Sequence, residues 1–344
     1  MNTDFLHKEL YLWYERNARV LPWRETSDPY KIWLSEIILQ QTRVAQGMDY
    51  YMHFVERFPD VESLAAADEA EVMRLWQGLG YYSRARNLHK AAQLVVKGER
   101  LRGKVVFPQT FEALRQLPGV GDYTAGAIAS FAYNLPYPAI DGNVYRVLAR
   151  LTDCEIEMDS TAGKKHFHRL ATELLDRDNA RLYNSAIMEF GALYCVPQHP
   201  DCEACPLQAI CEGYQHHTAE LLPIRKKRMP LKDRYLNYTI YLCDGKTLIH
   251  QRTGNDIWKH LFEFVLEESD SLQEAKGVKH MDFTHVLSHQ RLHARFFVKR
   301  VATLPEIEGY REVAIEELDD YALSRLTLKA LNSLEAEREA NHSR

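Results

Sequence analysis

Two folds in tandem are predicted: an all-α part over residues 1–222 and an α+β part over 235–344, joined by a basic linker at 223–234. Three observations predict this multidomain arrangement. Apolar residues recur every three or four positions in "FLHKELYLWYERN", "YKIWLSEIILQQTRVA", "EVMRLWQGLGYYSRARNLHKAAQLVV" and "LYNSAIMEFGALYC". After Leu222 the period drops to two. Between the two regimes stands "RKKRMPLKDR", residues 225–234, with six basic side chains and one acid.

Proline and glycine separate the helices of the first part, at Pro22, Pro29, Pro59, Pro108, Pro118, Pro136 and Pro138. "LPGVGDYTAGAIAS" places a Gly-Val-Gly turn between two helical runs, a hairpin spanning 111–133. In the second part "YLNYTIYLC", "KTLIHQR" and "LFEFVLEE" alternate like strands, and "FTHVLSHQRLHARFFVKRV" reads as two strands around a polar turn. Short helices are expected near 269–275 and 324–338.

With 344 residues the chain can build two cores. Its 26% charged and 46% apolar residues suit a soluble globular protein. No run approaches the ~18 apolar residues of a membrane span. "MNTDFLHKELYLWYERNARV" carries acids and reads as an amphipathic helix rather than a secretory signal, so a cytoplasmic protein is expected. The net charge of −5 argues only weakly against a nucleic-acid partner, because basic 225–234 and the acidic stretch 306–320 create opposite local fields.

Four of the six cysteines fall within 17 residues, as Cys195-x6-Cys202-x2-Cys205-x5-Cys211. In a cytosolic chain of this size that is no disulfide framework. Four thiolates on one loop can converge on a metal centre. Structural zinc sites pair two short knuckles on separate segments, whereas one knuckle with outlying ligands suits a [4Fe–4S] cluster better. Cys154 and Cys243 stand alone and are expected as buried apolar fillers.

Two carboxylates stand out. Glu36 lies among Trp33, Leu34, Ile37, Ile38 and Leu39. Desolvated there it would have a raised pKa and could carry a proton at neutral pH; on an exposed face it would pair with Lys31 or Arg43. Asp141, in "IDGNVYRVLAR", precedes a helix, where it can cap the helix and still face a cavity. The 119–121 turn can either close the hairpin or offer backbone N–H groups to a phosphate.

Together the hairpin, the aspartate some twenty residues on, and the cysteine loop resemble the helix-hairpin-helix DNA glycosylases with an iron–sulfur loop. With "WLSEIILQQTRV" and "GLGYYSRARNL" the resemblance narrows to the MutY-type adenine DNA glycosylase family, closely over residues 5–215 and more loosely beyond. The resemblance implies a monofunctional enzyme of base excision repair that hydrolyses the N-glycosidic bond of adenine paired with 8-oxoguanine or guanine in double-stranded DNA. It implies Glu36 as the general acid, Asp141 as stabiliser of the positive sugar, and Asn143 and Tyr123 as their polar partners. Gln41 and Tyr81 match residues that enter the duplex, Gly119, Val120 and Gly121 the phosphate-binding turn, and Arg19, Arg24 and Glu189 the adenine pocket. Cys195, Cys202, Cys205 and Cys211 would hold a [4Fe–4S] cluster. A monomer, nucleoid-associated in a prokaryote, is expected.

The rival within the superfamily is the endonuclease III type, a glycosylase and lyase. Its nucleophilic lysine occupies the place held here by Tyr123, and it lacks a counterpart of Glu36. The second part resembles a Nudix-like domain but lacks the catalytic G-x5-E-x7-R-E-x-x-E-E helix, so it should read lesions without hydrolysing nucleotides. Leu287-Ser288-His289 aligns with the family's Phe-Ser-His loop; Ser288 and His289 are the expected lesion-strand ligands, and Leu287 departs from the aromatic pattern. "DIWKHLFEF" lacks the glycine pair that often follows the tryptophan. His285, His289 and His293 recur every four residues, a minor candidate for a metal.

Overall fold

The computed structural model describes residues 2–226 and 230–342; positions 227–229 of the expected linker lie outside them. In chain order the helices and short strands of the first part are α1 (Thr3–Asn17), α2 (Pro29–Leu39), α3 (Val44–Arg57), α4 (Val61–Ala66), α5 (Glu69–Leu75), α6 (Ser83–Lys97), β1 (Arg100–Leu101), β2 (Lys104–Val105), α7 (Phe111–Arg115), α8 (Asp122–Tyr133), α9 (Gly142–Leu151), α10 (Thr161–Leu174), α11 (Ala180–Leu193) and α12 (Glu212–Gln215). Then follow β3 (Lys232–Leu242), β4 (Lys246–Gln251), β5 (Phe262–Glu263), β6 (Val265–Ser269), β7 (His280–Val286), β8 (Gln290–Arg300), β9 (Arg311–Ala314) and α13 (Arg325–His342). The chain sorts into two units: Met1–Ala66 with Asn87–Lys227, and Ala67–Arg86 with Arg228–Arg344. Residues 67–86 therefore assort with the C-terminal residues, although helices of the first unit flank them in sequence.

The core of the first unit is built around α9. Its Val144, Val147, Leu148 and Leu151 pack with Leu6, Leu10 and Trp13 of α1, Phe167 of α10, and Ile187 and Phe190 of α11. Each such side chain contributes ~1.5–3 kcal/mol on full burial. Start signals are clear: Asp28 caps α2 through the Tyr30 amide, with Pro29 in the first turn, and Asp141 caps α9 through the Asn143 and Val144 amides. Gly191 of α11 lets that helix approach α9, since a Cβ there would stand 2.8 Å from the Asn143 Cβ and 2.9 Å from its carbonyl oxygen. The hairpin joins α7 to α8, and Gly119 takes a φ of 79°.

In the second unit one sheet runs β6-β3-β8-β7 and another β5-β4-β9. Strands β3 and β8 are parallel, with Tyr238 opposite Phe296, and the β3–β6 and β7–β8 pairs are antiparallel. Leu236, Tyr238 and Ile240 of β3, Ile249 of β4, Phe296 of β8 and Leu326 of α13 share its core.

Three expectations are corrected here. "LFEFVLEE" is not one strand: it breaks at fully buried Phe264 into β5 and β6, which join different sheets. Residues 269–275 are not helical. The Gln273 amide donates to Asn237 Oδ1 at 2.8 Å, and Arg295 Nη1 donates to the Gln273 carbonyl at 2.6 Å, so side chains of the sheet capture the groups a helix would use. Cys154 is buried, but Cys243 is only half-buried at the end of β3, its thiol donating to the Ala302 carbonyl at 3.4 Å.

Candidate active site

A cavity of about 760 Å3 opens in the first unit and gathers Glu36, Tyr123, Asp141, Asn143, Arg19, Arg24, Glu189 and Gln41 on its walls. Residues up to 170 apart in sequence meet there, for example Arg19 and Glu189.

Glu36 sits in α2 and is 8% exposed. It is paired with neither Lys31 nor Arg43: the Tyr123 hydroxyl donates to its Oε2 at 2.8 Å. Desolvation raises the Glu36 pKa from 4.5 to about 7; the Tyr123 hydrogen bond and Arg24 pull it down, and Asp141 pushes it up. Burial also drives the Tyr123 hydroxyl well above its ordinary range, so it stays a neutral donor. Next along α8, Thr124 accepts from Gln40 Nε2 at 3.2 Å, tying the end of α2 to α8 beside the pair.

Asp141 caps α9 and lines the cavity at once. Its Oδ1 accepts from the Asn143 amide at 2.9 Å and the Val144 amide at 2.8 Å, while Asn143 Nδ2 donates to Oδ2 at 2.7 Å. Burial raises the Asp141 pKa, and these three donors with the Arg146 charge oppose the rise. Upstream, buried Asn184 pins the loop: the Ala139 amide donates to its Oδ1 at 3.1 Å and its Nδ2 donates to the Tyr137 carbonyl at 2.9 Å.

Glu189 is fully buried on α11. Arg19 forks onto it at 2.6 and 2.8 Å, and Arg24 Nη1 lies 2.8 Å from Oε2. Burial raises the Glu189 pKa, but the two guanidiniums outweigh that and hold it below the usual range. Arg181, not anticipated, braces the same wall by donating to the Arg24 and Thr26 carbonyls at 3.1 and 2.7 Å.

Gln41 follows α2 with a φ of 60°, a left-handed conformation rare outside glycine. Tyr81 belongs to the second unit, also left-handed at φ 48° and 49% exposed, while its neighbour Tyr82 is buried. At the hairpin, Val120 is buried and its amide donates to the Leu117 carbonyl, and Arg115 bridges Asp122 at 2.5 Å across the turn. Ser288 and His289 form the exposed turn between β7 and β8, hydrogen-bonded to each other at 3.1 Å. The histidine triplet separates: His285 packs against Trp258, and His293 stacks on Tyr235 and contacts Asp233 at 2.8 Å.

Cys195, Cys202, Cys205 and Cys211 all line one small void of about 20 Å3, floored by Val147, Leu151 and Phe190. Burial pushes the Cys205 thiol up to about 12, and Cys202 and Cys211 also rise, with the other thiolates adding to each shift. Four soft sulfur donors around one void, which burial keeps as thiols until a metal displaces their protons, fit a thiophilic metal group. Among the described residues no three His, Cys, Asp or Glu side chains form a group able to hold a single metal ion. Buried Arg150 secures the loop, with Nη1 3.3 Å from Cys195 Sγ and 2.8 Å from the Val196 carbonyl, and Nη2 3.1 Å from the Pro197 carbonyl.

Arg146 was missed by sequence reasoning. It donates from Nη2 to Asn143 Oδ1 at 2.9 Å and the Gly191 carbonyl at 2.6 Å, and from Nε to the Cys195 carbonyl at 2.7 Å. The cysteine loop and the Asp141–Asn143 pair thus share one buried cation. The available signal was an arginine at i+3 from Asn143 within "NVYRVLAR", a strongly amphipathic helix whose apolar face is core.

Residues 34–174 match the family profile of the HhH-GPD superfamily base excision DNA repair protein, and 237–333 that of the NUDIX domain. The class is thus that of a helix-hairpin-helix repair protein followed by a Nudix-like fold. An adenine DNA glycosylase of Buchnera aphidicola (strain APS) is 31% identical over 327 residues, 90% of this chain and 92% of that one. The chain belongs to the adenine DNA glycosylase family. The adenine DNA glycosylase of Mus musculus is 44% identical over 215 residues, 60% of this chain but 41% of the mouse protein, so the match spans about two fifths of that relative. A solved thermostable thymine-DNA glycosylase superposes with a TM-score of 0.55 at 26% identity, covering 62% of this chain and 97% of that one. Among the described residues no helix is long and apolar enough to cross a membrane.

Proposed function

We propose that this chain is a monofunctional DNA glycosylase that removes adenine paired with 8-oxoguanine or guanine in double-stranded DNA. The observation that carries this reading is the buried Glu36, with a pKa near 7, hydrogen-bonded to Tyr123 in the cavity that Asp141 also lines. At neutral pH a protonated fraction of Glu36 can give its proton to N7 of the departing adenine, and the resulting carboxylate can then assist water. Asp141, held by three N–H donors, works as the anion that stabilises the oxocarbenium-like sugar. Asn143 and Arg146 hold that carboxylate in place. Tyr123 offers no amine, so no Schiff base forms at its position and the strand is left uncut.

The Arg19–Glu189–Arg24 cluster supports a polar wall for the extruded base, whose unstacking costs a few kcal/mol. Left-handed Gln41 and exposed Tyr81 support a role inside the duplex. The glycine turn at the start of α8 supports phosphate binding, and exposed Ser288 and His289 support contact with the lesion strand. The four cysteines would hold a [4Fe–4S] cluster, which when bound would supply a cross-link ordering the loop 195–211. Iron and sulfide analysis of anaerobically purified protein checks it; zinc in their place overturns it.

The deciding experiment is single-turnover cleavage of duplexes carrying adenine opposite 8-oxoguanine, guanine, cytosine or thymine, with borohydride trapping in parallel. Fast adenine release opposite 8-oxoguanine and slower release opposite guanine, without a trapped adduct, is expected. Efficient trapping would favour the endonuclease III-like lyase, and absence of adenine release would reject the reading.

A further inference from the structure

Residues 67–86 assort with the C-terminal residues of the second unit, and the backbone of their turn is unusual. Gly78, Gly80 and Tyr81 take φ values of 94°, 74° and 48°, three left-handed residues within four positions. Glycine adopts this region freely, whereas a tyrosine there is strained and persists only where its surroundings over-determine it. Part of that constraint is local. Trp76 Nε1 donates to the Gly80 carbonyl at 3.0 Å and Arg84 Nη2 to the same carbonyl at 3.3 Å. The Arg84 guanidinium also lies over the Trp76 and Tyr81 rings, at 5.0 and 5.7 Å.

The rest comes from Leu323, 241 positions beyond Tyr82. The Tyr82 hydroxyl accepts from the Gly78 amide at 3.3 Å and donates to the Leu323 carbonyl at 3.1 Å. Gln77 Oε1 accepts from the Leu323 amide at 3.4 Å. Both backbone groups of Leu323 are thus taken by residues that bracket the turn. Leu323 is itself fixed. Its side chain is fully buried in the core with Phe264 and Leu326, and its backbone forms a parallel bridge with Phe262 of β5. Arg74 and Arg86 add ties on either side, donating to the Asp320 and Lys259 carbonyls at 3.3 and 2.9 Å. The same unit carries Ser288 and His289 in the turn between β7 and β8. Resting on the reading that Tyr81 enters the duplex, we infer that Tyr82 and Gln77 are positioning residues that seat the Tyr81 turn on Leu323. Duplex entry and contact with the lesion strand are then made by one folded body. Tyr82 is only 5% exposed, so it acts through Tyr81 and not on the DNA itself.

The test is a double-mutant cycle on the full chain. Adenine release from duplexes with adenine opposite 8-oxoguanine is measured at subsaturating protein for the wild type, Tyr82→Phe, Tyr81→Ala and the double variant. Tyr82→Phe keeps the buried ring and removes only the bridging hydroxyl; a cooperative thermal melt establishes that it folds. It should lower the second-order rate constant about fivefold, the effect of one neutral hydrogen bond. In the Tyr81→Ala background the same change should have no effect, because a positioning residue then has nothing left to position. Gln77→Ala should show the same dependence on Tyr81. Equal losses in both backgrounds would mark a general contribution to stability and overturn the inference, as would an unaltered rate in Tyr82→Phe when Tyr81→Ala is impaired. Full activity in Tyr81→Ala, or no release by the wild type, would instead overturn the reading on which the inference rests, and the inference with it.

Discussion

Replacing Glu36 by glutamine keeps the volume and an oxygen for the Tyr123 hydroxyl but removes the titration. In the folded protein Glu36 releases its proton near pH 7, against 4.5 ordinarily. This rise corresponds to about 3 kcal/mol at about 1.4 kcal/mol per unit. The sign follows from proton counting. Between about pH 4.5 and 7 the folded state holds a proton the unfolded chain has lost, so the contribution of Glu36 to stability is complete below that window and lost across it. Glu36→Gln has no such loss. The two proteins should melt together at about pH 4, below that window, and at about pH 8 the variant should melt roughly 6–12 °C higher, taking ~2–4 °C per kcal/mol for a unit of this size. Circular dichroism melts at both pH values measure the double difference, in which the other titrating groups cancel. The same variant should lose adenine release by ~10²–10⁴-fold. If the variant gained nothing at high pH, Glu36 would not be an uncompensated buried acid, and the assignment of its proton to the leaving base would fail.

The Tyr123 hydrogen bond lowers the Glu36 pKa, so Tyr123→Phe should move the alkaline limb of the rate–pH profile upward by ~1–2 units; an unmoved or downward-shifted limb would count against this pairing. Cys205→Ser should lose iron and lower the melting temperature of the first unit, since a bound metal group adds its binding free energy to folding; full iron content would remove Cys205 from the ligand set. In the second unit Arg234 grips Glu268 at 2.6 and 2.7 Å and Asp256 at 3.0 and 2.7 Å. Arg234→Ala should cost ~1–2 kcal/mol, discounted because both carboxylates are more than a third exposed. Hydrogen bonding to Arg234 lowers both acids, so this stability is present above about pH 4 and fades as pH falls through their depressed values; denaturant titrations at several pH values should show the wild-type acid loss diminished in the variant.

Local rules made much of the molecule legible from residues alone. The three-to-four spacing specifies helices wherever one face is apolar, as in α1, α9 and α11, and alternation specifies β3, β4 and the β7–β8 pair. The spacing of the four cysteines on one loop was legible too, and the fold brings all four to one void. Legibility failed where a distant group intervened. "LFEFVLEE" alternates like one strand, and only the burial of Phe264 in the core divides it. Residues 269–275 could form a helix locally, yet Asn237 and Arg295 claim their backbone groups.

For the active site, the sequence by itself determined the chemical inventory: an acid in apolar company, an aspartate at a helix start, a tyrosine beyond a glycine turn, and the cysteine loop. The tertiary structure alone decided which environment each would have. Glu36 could have stood on an exposed face beside Lys31 or Arg43; burial against Tyr123 gives it a pKa near neutrality, because desolvation depends on atoms far along the chain. Likewise only the close approach of α11 to α9 reveals Arg146 as the cation shared by the Asp141–Asn143 pair and the cysteine loop. Residue types and local periodicity act over a few positions, whereas solvation and electrostatic fields are sums over neighbours that the fold alone assembles.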